Sequence, residues 1–212
     1  MATKRTYGDR CGIARALDLV GERWALLIVR DLLLGPKRFT DLRAGLPHVS
    51  PDVLSQRLRE LEQAGIVRRA KLPPPASARV YELTARGQAL EPIVIELGRW
   101  GSREPFTDEE AKLGPDSAVL ALKTLFDPAQ ADGLDETYEL RLDSQPFRLR
   151  IRDRAFDAAR GSADDPAALI DTDPATLAQV LWHGADESKL RIQGDKRALR
   201  RFRALFPAPT AG

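Results

Sequence analysis

Polar side chains along residues 50–63 could hydrogen-bond to the edges of nucleic-acid bases. An advance of about 100° per residue places Leu54, Leu58 and Leu61 on one side of a helix. Glutamine matches adenine, arginine matches guanine, serine suits a base or a phosphate, and aspartate accepts from cytosine. A solvated helix side gives the same pattern, so the neighbouring elements must decide between the two. The polar residues are Asp52, Gln56, Arg59 and Gln63 on the far side, Ser55 on its flank and Ser50 at the start.

The local sequence predicts that this helix is the second member of a helix-turn-helix. Ser50 is a favourable N-cap, Pro51 occupies the first helical position, and Asp52 suits the positive end of the helix dipole. A shorter helix precedes it, with Thr40 as the predicted N-cap and an end near Gly45. Two helices joined by a short connection form the motif that places its second helix in a major groove.

A cationic hairpin is predicted directly after this motif. Residues 66–71 and 79–83 have the composition of strands, and they flank a proline-rich turn at 73–77. Such a tip can lie along phosphates or enter the narrower groove, although basic strand edges also serve solubility. The cations of the hairpin are Arg68, Arg69, Lys71 and Arg79.

Further helices surround these elements. Segments 13–20 and 22–34 have helical apolar spacing, and the second stops at Gly35 and Pro36. Residues 85–101 are predicted as one helix with an apolar stripe, which would form a seam between two copies or pack within one chain. The stripe consists of Leu90, Ile93, Val94, Leu97 and Trp100.

The second half has an α+β order of elements. Composition changes after Trp100, because residues 101–115 are polar and include an acidic run. The strands at 138–142 and 147–151 alternate between apolar and charged residues, as in a sheet with one buried face. The remaining predicted elements are helices at 118–126, 174–182 and 195–206, a strand at 190–192, and a mixed stretch up to 172.

Length, composition and charge restrict the function classes. The chain has 212 residues, 43% hydrophobic and 30% charged, which describes one large globular domain or two ordinary ones. Residues 1–103 carry 18 Lys and Arg against 11 Asp and Glu, whereas 104–212 carry 15 against 20. One basic half is expected where only that half approaches a polyanion. A single cysteine, a polar N-terminus and no long apolar run predict a cytoplasmic chain without a membrane span.

Nothing in the sequence predicts catalysis. The histidines, His48 and His183, do not cluster with each other or with the cysteine in a metal-ligand spacing. There is no nucleophile elbow and no phosphate-binding loop. We therefore expect no enzyme activity, metal or cofactor, although His183 could contact an acyl head group.

A set of short motifs runs through residues 11–101. They are Cys11-Gly12-Ile13, Leu19-Val20-Gly21-Glu22-Arg23-Trp24, Arg38-Phe39-Thr40-Asp41-Leu42, Leu54-Ser55-Gln56-Arg57-Leu58-Arg59-Glu60-Leu61, Gly65-Ile66-Val67 and Tyr81-Glu82-Leu83-Thr84. With these motifs the segment resembles the HxlR family of bacterial-type winged helix-turn-helix regulators. The resemblance implies a homodimer that binds pseudo-palindromic operator DNA, with the Ser50 helix as recognition helix and the hairpin as wing. It also implies backbone contacts near Arg38 and Thr40 and a dimer contact made by the terminal helices.

The same resemblance implies that Cys11 senses oxidants or electrophiles. Arg10, Arg15 and a helix N-terminus would each favour its thiolate. The alternative is a small residue that fills the core of a dimer.

Three parts of the second half carry a further resemblance, namely the strands 138–142 and 147–151, the segment 171–177, and residues 190–195 before the last helix. With these segments residues 115–206 resemble the sterol carrier protein 2-like fold. The resemblance implies an apolar tunnel, although the residue types by themselves favour ordinary core for most of the candidates. The candidate lining residues are Phe147, Leu149, Leu177, Leu181, Trp182 and Phe202.

Together these observations predict a mainly α winged helix-turn-helix N-terminal domain followed by an α+β, SCP2-like C-terminal domain. The predicted boundaries are 1–103 for DNA binding and dimerisation, 104–114 for a linker and 115–212 for the α+β domain. The predicted function is transcriptional regulation. A hydrophobic effector bound in the C-terminal domain could modulate it. The alternative is a lipid or acyl carrier whose N-terminal half serves only dimerisation.

Overall fold

A computed structural model describes residues 6–74, 77–104 and 112–209 of the chain. The chain forms two compact units, residues 1–94 and 95–212. Within the described ranges, no helix has the length and apolar character needed to cross a bilayer. The division at 94 falls before the predicted linker at 104–114, most of which lies outside the described residues, so that linker stays a prediction.

The first unit contains the predicted helix-turn-helix and hairpin. The two strands pair antiparallel, with Val67 opposite Leu83 and Lys71 opposite Arg79. The elements are α1 (Gly12–Val20), α2 (Ala25–Leu33), α3 (Phe39–Gly45), α4 (Pro51–Gln63), β1 (Val67–Lys71), β2 (Arg79–Leu83) and α5 (Ala85–Gln88), with α6 (Glu91–Gly101) crossing the division.

Three predicted details of this unit are wrong. Arg38, not Thr40, is the N-cap of α3, because the Asp41 carboxylate accepts from the Arg38 backbone N–H at 3.2 Å. The helix predicted at 85–101 is broken between α5 and α6. In a continuous helix the ring of Pro92 would clash with the backbone carbonyl of Gln88. The second helix begins at Ala25 rather than at 22, because Trp24 adopts a left-handed backbone with φ 78°.

Leucines from α4 anchor that helix in the core of the first unit. Leu54, Leu58 and Leu61 are fully buried against residues of α2 and α3 such as Ile28 and Leu42. Each buried leucine contributes about 1.5–3 kcal/mol from removal of apolar surface from water. The leucine side of α4 is therefore fixed to the body of the unit, as predicted.

The second unit is an α+β structure built on a five-stranded sheet of order β5-β4-β3-β6-β7. The central strands β3 and β6 are parallel, with Leu140 opposite Ile170, and the other pairs are antiparallel. The elements are α7 (Pro115–Leu125), β3 (Glu136–Leu142), β4 (Gln145–Arg152), β5 (Ala155–Arg160), β6 (Ala168–Thr172), α8 (Pro174–Trp182), β7 (Arg191–Gly194) and α9 (Lys196–Ala204).

The alternation predicted for β3 and β4 is confirmed on its apolar face. Tyr138, Leu140 and Leu142 of β3 are fully buried, as are the three apolar residues of β4. One charged residue departs from the pattern, because Glu139 is only 3% exposed. Its carboxylate accepts from Arg141 at 2.7 Å and from the Ala163 backbone N–H at 2.8 Å, so the buried charge is satisfied.

Candidate nucleic-acid interface

The N-terminus of α4 is capped as the sequence predicts. The Val53 backbone N–H donates to the Ser50 hydroxyl at 3.3 Å, and Pro51 occupies the first helical position. The cap satisfies one of the backbone donors that a helix start leaves open, and the remaining N–H groups there favour an anion such as a phosphate.

The polar side of α4 faces solvent. Asp52, Gln56 and Arg59 are exposed, as are Ser50 and Gln63, while Ser55 is half-buried. Val53, which the sequence analysis did not single out, adds an exposed apolar side chain beside them. The structure thus brings donors, acceptors and one apolar group together on a single accessible helix side.

Arg57 is a further residue of α4 that sequence reasoning missed. It is 9% exposed, its guanidinium binds the Glu60 carboxylate, and its Nη2 lies 3.4 Å from Glu22 Oε2. The Glu60 carboxylate also accepts from Gln56 Nε2 at 3.0 Å. The sequence did contain a signal for Arg57, because it is a charged residue among the leucines on the core side of the predicted helix.

Arg38 and Thr40, predicted to contact the DNA backbone, are exposed at the start of α3. The Thr40 hydroxyl donates to Asp41 Oδ1 at 3.3 Å. Asp41 therefore orders this segment through both Arg38 and Thr40.

The four hairpin cations differ in their partners. Arg68 binds Glu82 at 2.7 Å, and Arg69 binds Glu62 at 2.9 Å while lying 5.7 Å from the centre of the Tyr81 ring. Lys71 and Arg79, at the end of the strands next to the turn, are exposed and form no ion pair within the described part of the chain. Residues 75–76 of the predicted turn lie outside the described residues.

A buried ion pair lies beside the middle of the hairpin. Lys37 and Tyr81 exchange backbone hydrogen bonds of 3.0 and 2.7 Å, which form an isolated β-bridge at the free edge of β2. The buried Lys37 Nζ lies 3.4 Å from Asp31 Oδ2 of α2, whose other oxygen accepts from Arg30. A Cβ at Gly45 would lie 2.5 Å from Asp31 Oδ2. Glycine at this position therefore leaves room for the Lys37–Asp31 ion pair.

Cys11 is exposed and lies immediately before α1. The pKa of its thiol is lowered, first by the backbone N–H of Ile13 and then by that of Ala14. Both N–H groups belong to the first turn of α1. The helix N-terminus, one of the three sources that the sequence suggests, therefore lowers this pKa.

The residues of the α6 stripe have two kinds of environment. Leu90 and Val94 are half-buried and pack against the core of the first unit. Ile93, Leu97 and Trp100 are exposed by 55%, 48% and 65%. The three exposed side chains leave an apolar face on α6 that the described residues do not cover.

Most candidate tunnel residues of the second unit are packed into its core. Phe147, Leu149, Leu177 and Phe202 are buried, Leu181 and Trp182 are half-buried, and the ring of Phe202 lies 5.1 Å from that of Tyr138. Two surface cavities of about 420 and 230 Å³ are lined by other, mainly polar residues at 132–135 with 152–154, and at 143–144, 171–173, 189 and 191. His183 is exposed, and the described residues hold no cluster of three metal-ligand side chains. A ligand pocket among the six therefore stays a prediction.

Comparison with known proteins identifies the first unit. The model of the HxlR-like helix-turn-helix family matches residues 19–109. The uncharacterized HTH-type transcriptional regulator YvaP of Bacillus subtilis (strain 168) is 43% identical over 88 residues, which cover 42% of this chain and 82% of YvaP. The HTH-type transcriptional regulator YodB of the same organism is 40% identical over 88 residues, 42% of this chain and 79% of YodB.

Among solved structures, the redox regulator HypR in its oxidized form is 33% identical and has a TM-score of 0.43, covering 46% of this chain and all 100% of HypR. Quinone-bound YodB from B. subtilis is 36% identical with a TM-score of 0.38, covering 43% of this chain and 97% of YodB. All these matches cover half of the chain or less. The sequence matches to long stretches of known regulators show that the chain belongs to the HxlR-like helix-turn-helix family of transcriptional regulators.

Proposed function

We propose that the protein regulates transcription by binding a pseudo-palindromic operator as a homodimer. The observation that carries this proposal is the arrangement of α4, whose leucines are buried while its Asp52, Gln56 and Arg59 are exposed beside a capped N-terminus. Membership of the HxlR-like family supports the same function. Two recognition helices related by a two-fold axis would meet half-sites about one helical turn, roughly 34 Å, apart.

The residues around α4 divide into base-contacting and phosphate-contacting groups. Asp52, Ser55, Gln56 and Arg59 are proposed to contact bases, whereas Ser50, Arg38 and Thr40 contact the backbone at the edge of the groove. In the wing, Lys71 and Arg79 contribute most to phosphate binding, because the carboxylates bound to Arg68 and Arg69 already offset those charges.

The salt dependence of DNA binding tests this function. A protein that neutralises several phosphates loses affinity steeply as salt rises, with a log-log slope of several units. Selection from a random DNA pool, followed by titration of the selected duplex at several salt concentrations, measures both the operator and the slope. A lipid or acyl carrier whose first unit serves only dimerisation would form no DNA complex even at low salt.

A homodimer is supported by the exposed apolar face of α6. Ile93, Leu97 and Trp100 form a stripe that a second copy could cover, and aromatic residues are enriched among energetically important interface residues. Leu90 and Val94 support the stripe from within the chain.

We also infer that Cys11 can act as a thiol sensor. Its side chain is exposed and the pKa of its thiol is lowered by the start of α1, which are the two conditions for a reactive thiolate. Two proteins to which this chain is similar are the redox regulator HypR in its oxidized form and YodB in a quinone-bound form. Oxidation or alkylation of Cys11 would alter operator affinity.

For the second unit the proposal is an SCP2-like module that binds a hydrophobic effector. Its support is the sequence resemblance together with the α+β architecture. An effector can act only if it binds the DNA-binding and the DNA-free arrangement with unequal affinity. Titration with acyl or sterol-like compounds tests this role, and unchanged operator affinity at saturation would exclude it.

A further inference from the structure

Arg57 occupies a costly position on α4. Its side chain is 11% exposed, and its Nε has no hydrogen-bond partner within the described residues. A guanidinium taken out of water stabilises a protein poorly, even when carboxylates compensate it, and an apolar residue of similar size often serves as well. The ion pairs of Arg57 therefore do not by themselves account for a guanidinium among the buried leucines.

The contacts of Arg57 lead to a side chain on the exposed face of α4. The guanidinium binds Glu60 on one side and lies 3.4 Å from Glu22, in the turn before α2, on the other. Glu60 Oε1 accepts from the Nε2 of Gln56 at 3.0 Å. Three side chains thus connect the α1–α2 turn to a carboxamide exposed on the recognition helix.

The chemistry of this last hydrogen bond fixes the orientation of the carboxamide. An ionised carboxylate only accepts, so the nitrogen of Gln56 must be the atom that faces Glu60. The amide keeps its oxygen and a second N–H for other partners. An acceptor beside a donor is the pattern that matches N6 and N7 of adenine in the major groove.

We propose, on the basis of the function proposed above, that Arg57 and Glu60 are positioning residues that hold Gln56 ready to bind adenine. Arg57 fixes the Glu60 carboxylate, and the carboxylate fixes the amide before DNA arrives. A side chain ordered in advance loses less rotamer freedom on binding. Each operator half-site accordingly contains one adenine whose selection depends on the charge of Glu60.

Glu60→Gln is the decisive variant. It keeps the size of the side chain, but an amide both donates and accepts, so Gln56 can turn over without losing its hydrogen bond. The measurement is the base frequency at each position of duplexes selected by the full-length protein from a random pool. We expect the adenine preference at one position per half-site to fall at least about fivefold, since a good bidentate pair discriminates at least that well. Affinity for random DNA at low salt should not fall.

Two further variants separate the possible results. Gln56→Ala should lose the same adenine preference, and Glu187→Gln, which removes an ion pair with Arg203 in the second unit, should leave every base frequency unchanged. If Gln56→Ala loses the preference but Glu60→Gln keeps it, the positioning role is wrong while the DNA-binding function stands. Selection of another base at the Gln56 position, or equal weakening by Glu60→Gln on selected and random DNA, would also overturn it. Absence of any DNA complex with the wild-type chain would instead refute the proposed function itself.

Discussion

Arg59 and Arg79 carry the same guanidinium group in two different settings. Arg59 projects from the exposed side of α4, between residues that can bind base edges, whereas Arg79 lies at the turn end of the hairpin opposite Lys71. A guanidinium that meets a guanine edge discriminates between sequences, and one that meets a phosphate adds affinity to all of them. The sequence pattern was sufficient to predict that both side chains are exposed, because this follows from helical and strand periodicity, while their contacts with DNA stay predictions.

Replacement of the two arginines should therefore have different effects. We expect Arg59→Ala to weaken operator binding by about 1–3 kcal/mol and to relax discrimination at one position, because a base contact is lost. Arg79→Ala should weaken binding to operator and random DNA alike and reduce the salt slope by about one. Titrations of both variants on both DNAs at several salt concentrations distinguish these results. Equal losses on operator and random DNA for both variants would show the assigned roles to be wrong.

The reactivity of Cys11 should depend on pH in a predictable direction. The backbone N–H of Ile13 and of Ala14 lower the pKa of the thiol in the folded chain, so its alkylation by iodoacetamide should have a midpoint below that of the urea-unfolded chain. A thiol whose pKa is lower in the folded chain also stabilises that chain. This contribution to stability is fully present above the pKa of the unfolded chain, and it is lost as the pH falls through the pKa of the folded chain. Coincident midpoints in the folded and unfolded chain would contradict the effect, and Cys11→Ser serves as the unreactive control.

At the scale of elements, local signals predicted helices better than strands. The Ser50 cap with Pro51 fixed the start of α4, but β5 and β6 were missed as parts of a mixed stretch. Strand β5 contains three alanines, which have low strand propensity. In β6 burial does alternate, but Leu169 on the less buried face is also apolar, so Ala168, Leu169 and Ile170 form an unbroken apolar run without a period of two. The Arg57 contacts were likewise invisible, since they depend on the position of Glu22 in space.

The cap of α4 has a measurable contribution to stability. Ser50→Ala removes the hydroxyl that accepts from the Val53 N–H, so we expect the first unit to lose about 0.5–2 kcal/mol of unfolding free energy. Urea unfolding followed by circular dichroism measures the loss, and Ser162→Ala, at an exposed serine between β5 and β6, is the matched control. Ser50→Gly should cost less than Ser50→Ala, because glycine is a tolerated N-cap. A Ser50→Ala protein as stable as the wild type would show that the cap is not needed.

At the scale of the whole molecule, charge and apolar surface are unevenly distributed. Residues 1–103 are basic and 104–212 acidic, with 18 against 11 and 15 against 20 charged residues of each sign. This distribution is consistent with a DNA-binding role for the first unit alone. The exposed apolar face of α6 adds a second expectation, namely that the protein forms a homodimer.

Trp100→Arg should shift the protein from dimer to monomer. A charged side chain at a position that a second copy would bury costs at least as much as loss of an aromatic hot spot, which weakens association by about 30-fold or more. Sedimentation velocity over a range of micromolar concentrations measures the shift. Leu113→Arg changes another exposed apolar residue, outside the stripe, and should leave the dimer fraction at each concentration unchanged. A wild-type monomer, or a Trp100→Arg dimer as stable as the wild type, would exclude this interface.

The parallel pairing of β3 with β6 has a consequence for synthesis on the ribosome. Residues 1–94 can complete their own core as soon as they emerge, whereas the central strand β3 must wait for the segment 168–172 before both its edges are covered. During that interval β3 has only β4 as a neighbour, and an uncovered strand edge readily pairs with other chains. Premature termination before residue 168 would thus release a finished DNA-binding unit attached to an aggregation-prone half-sheet.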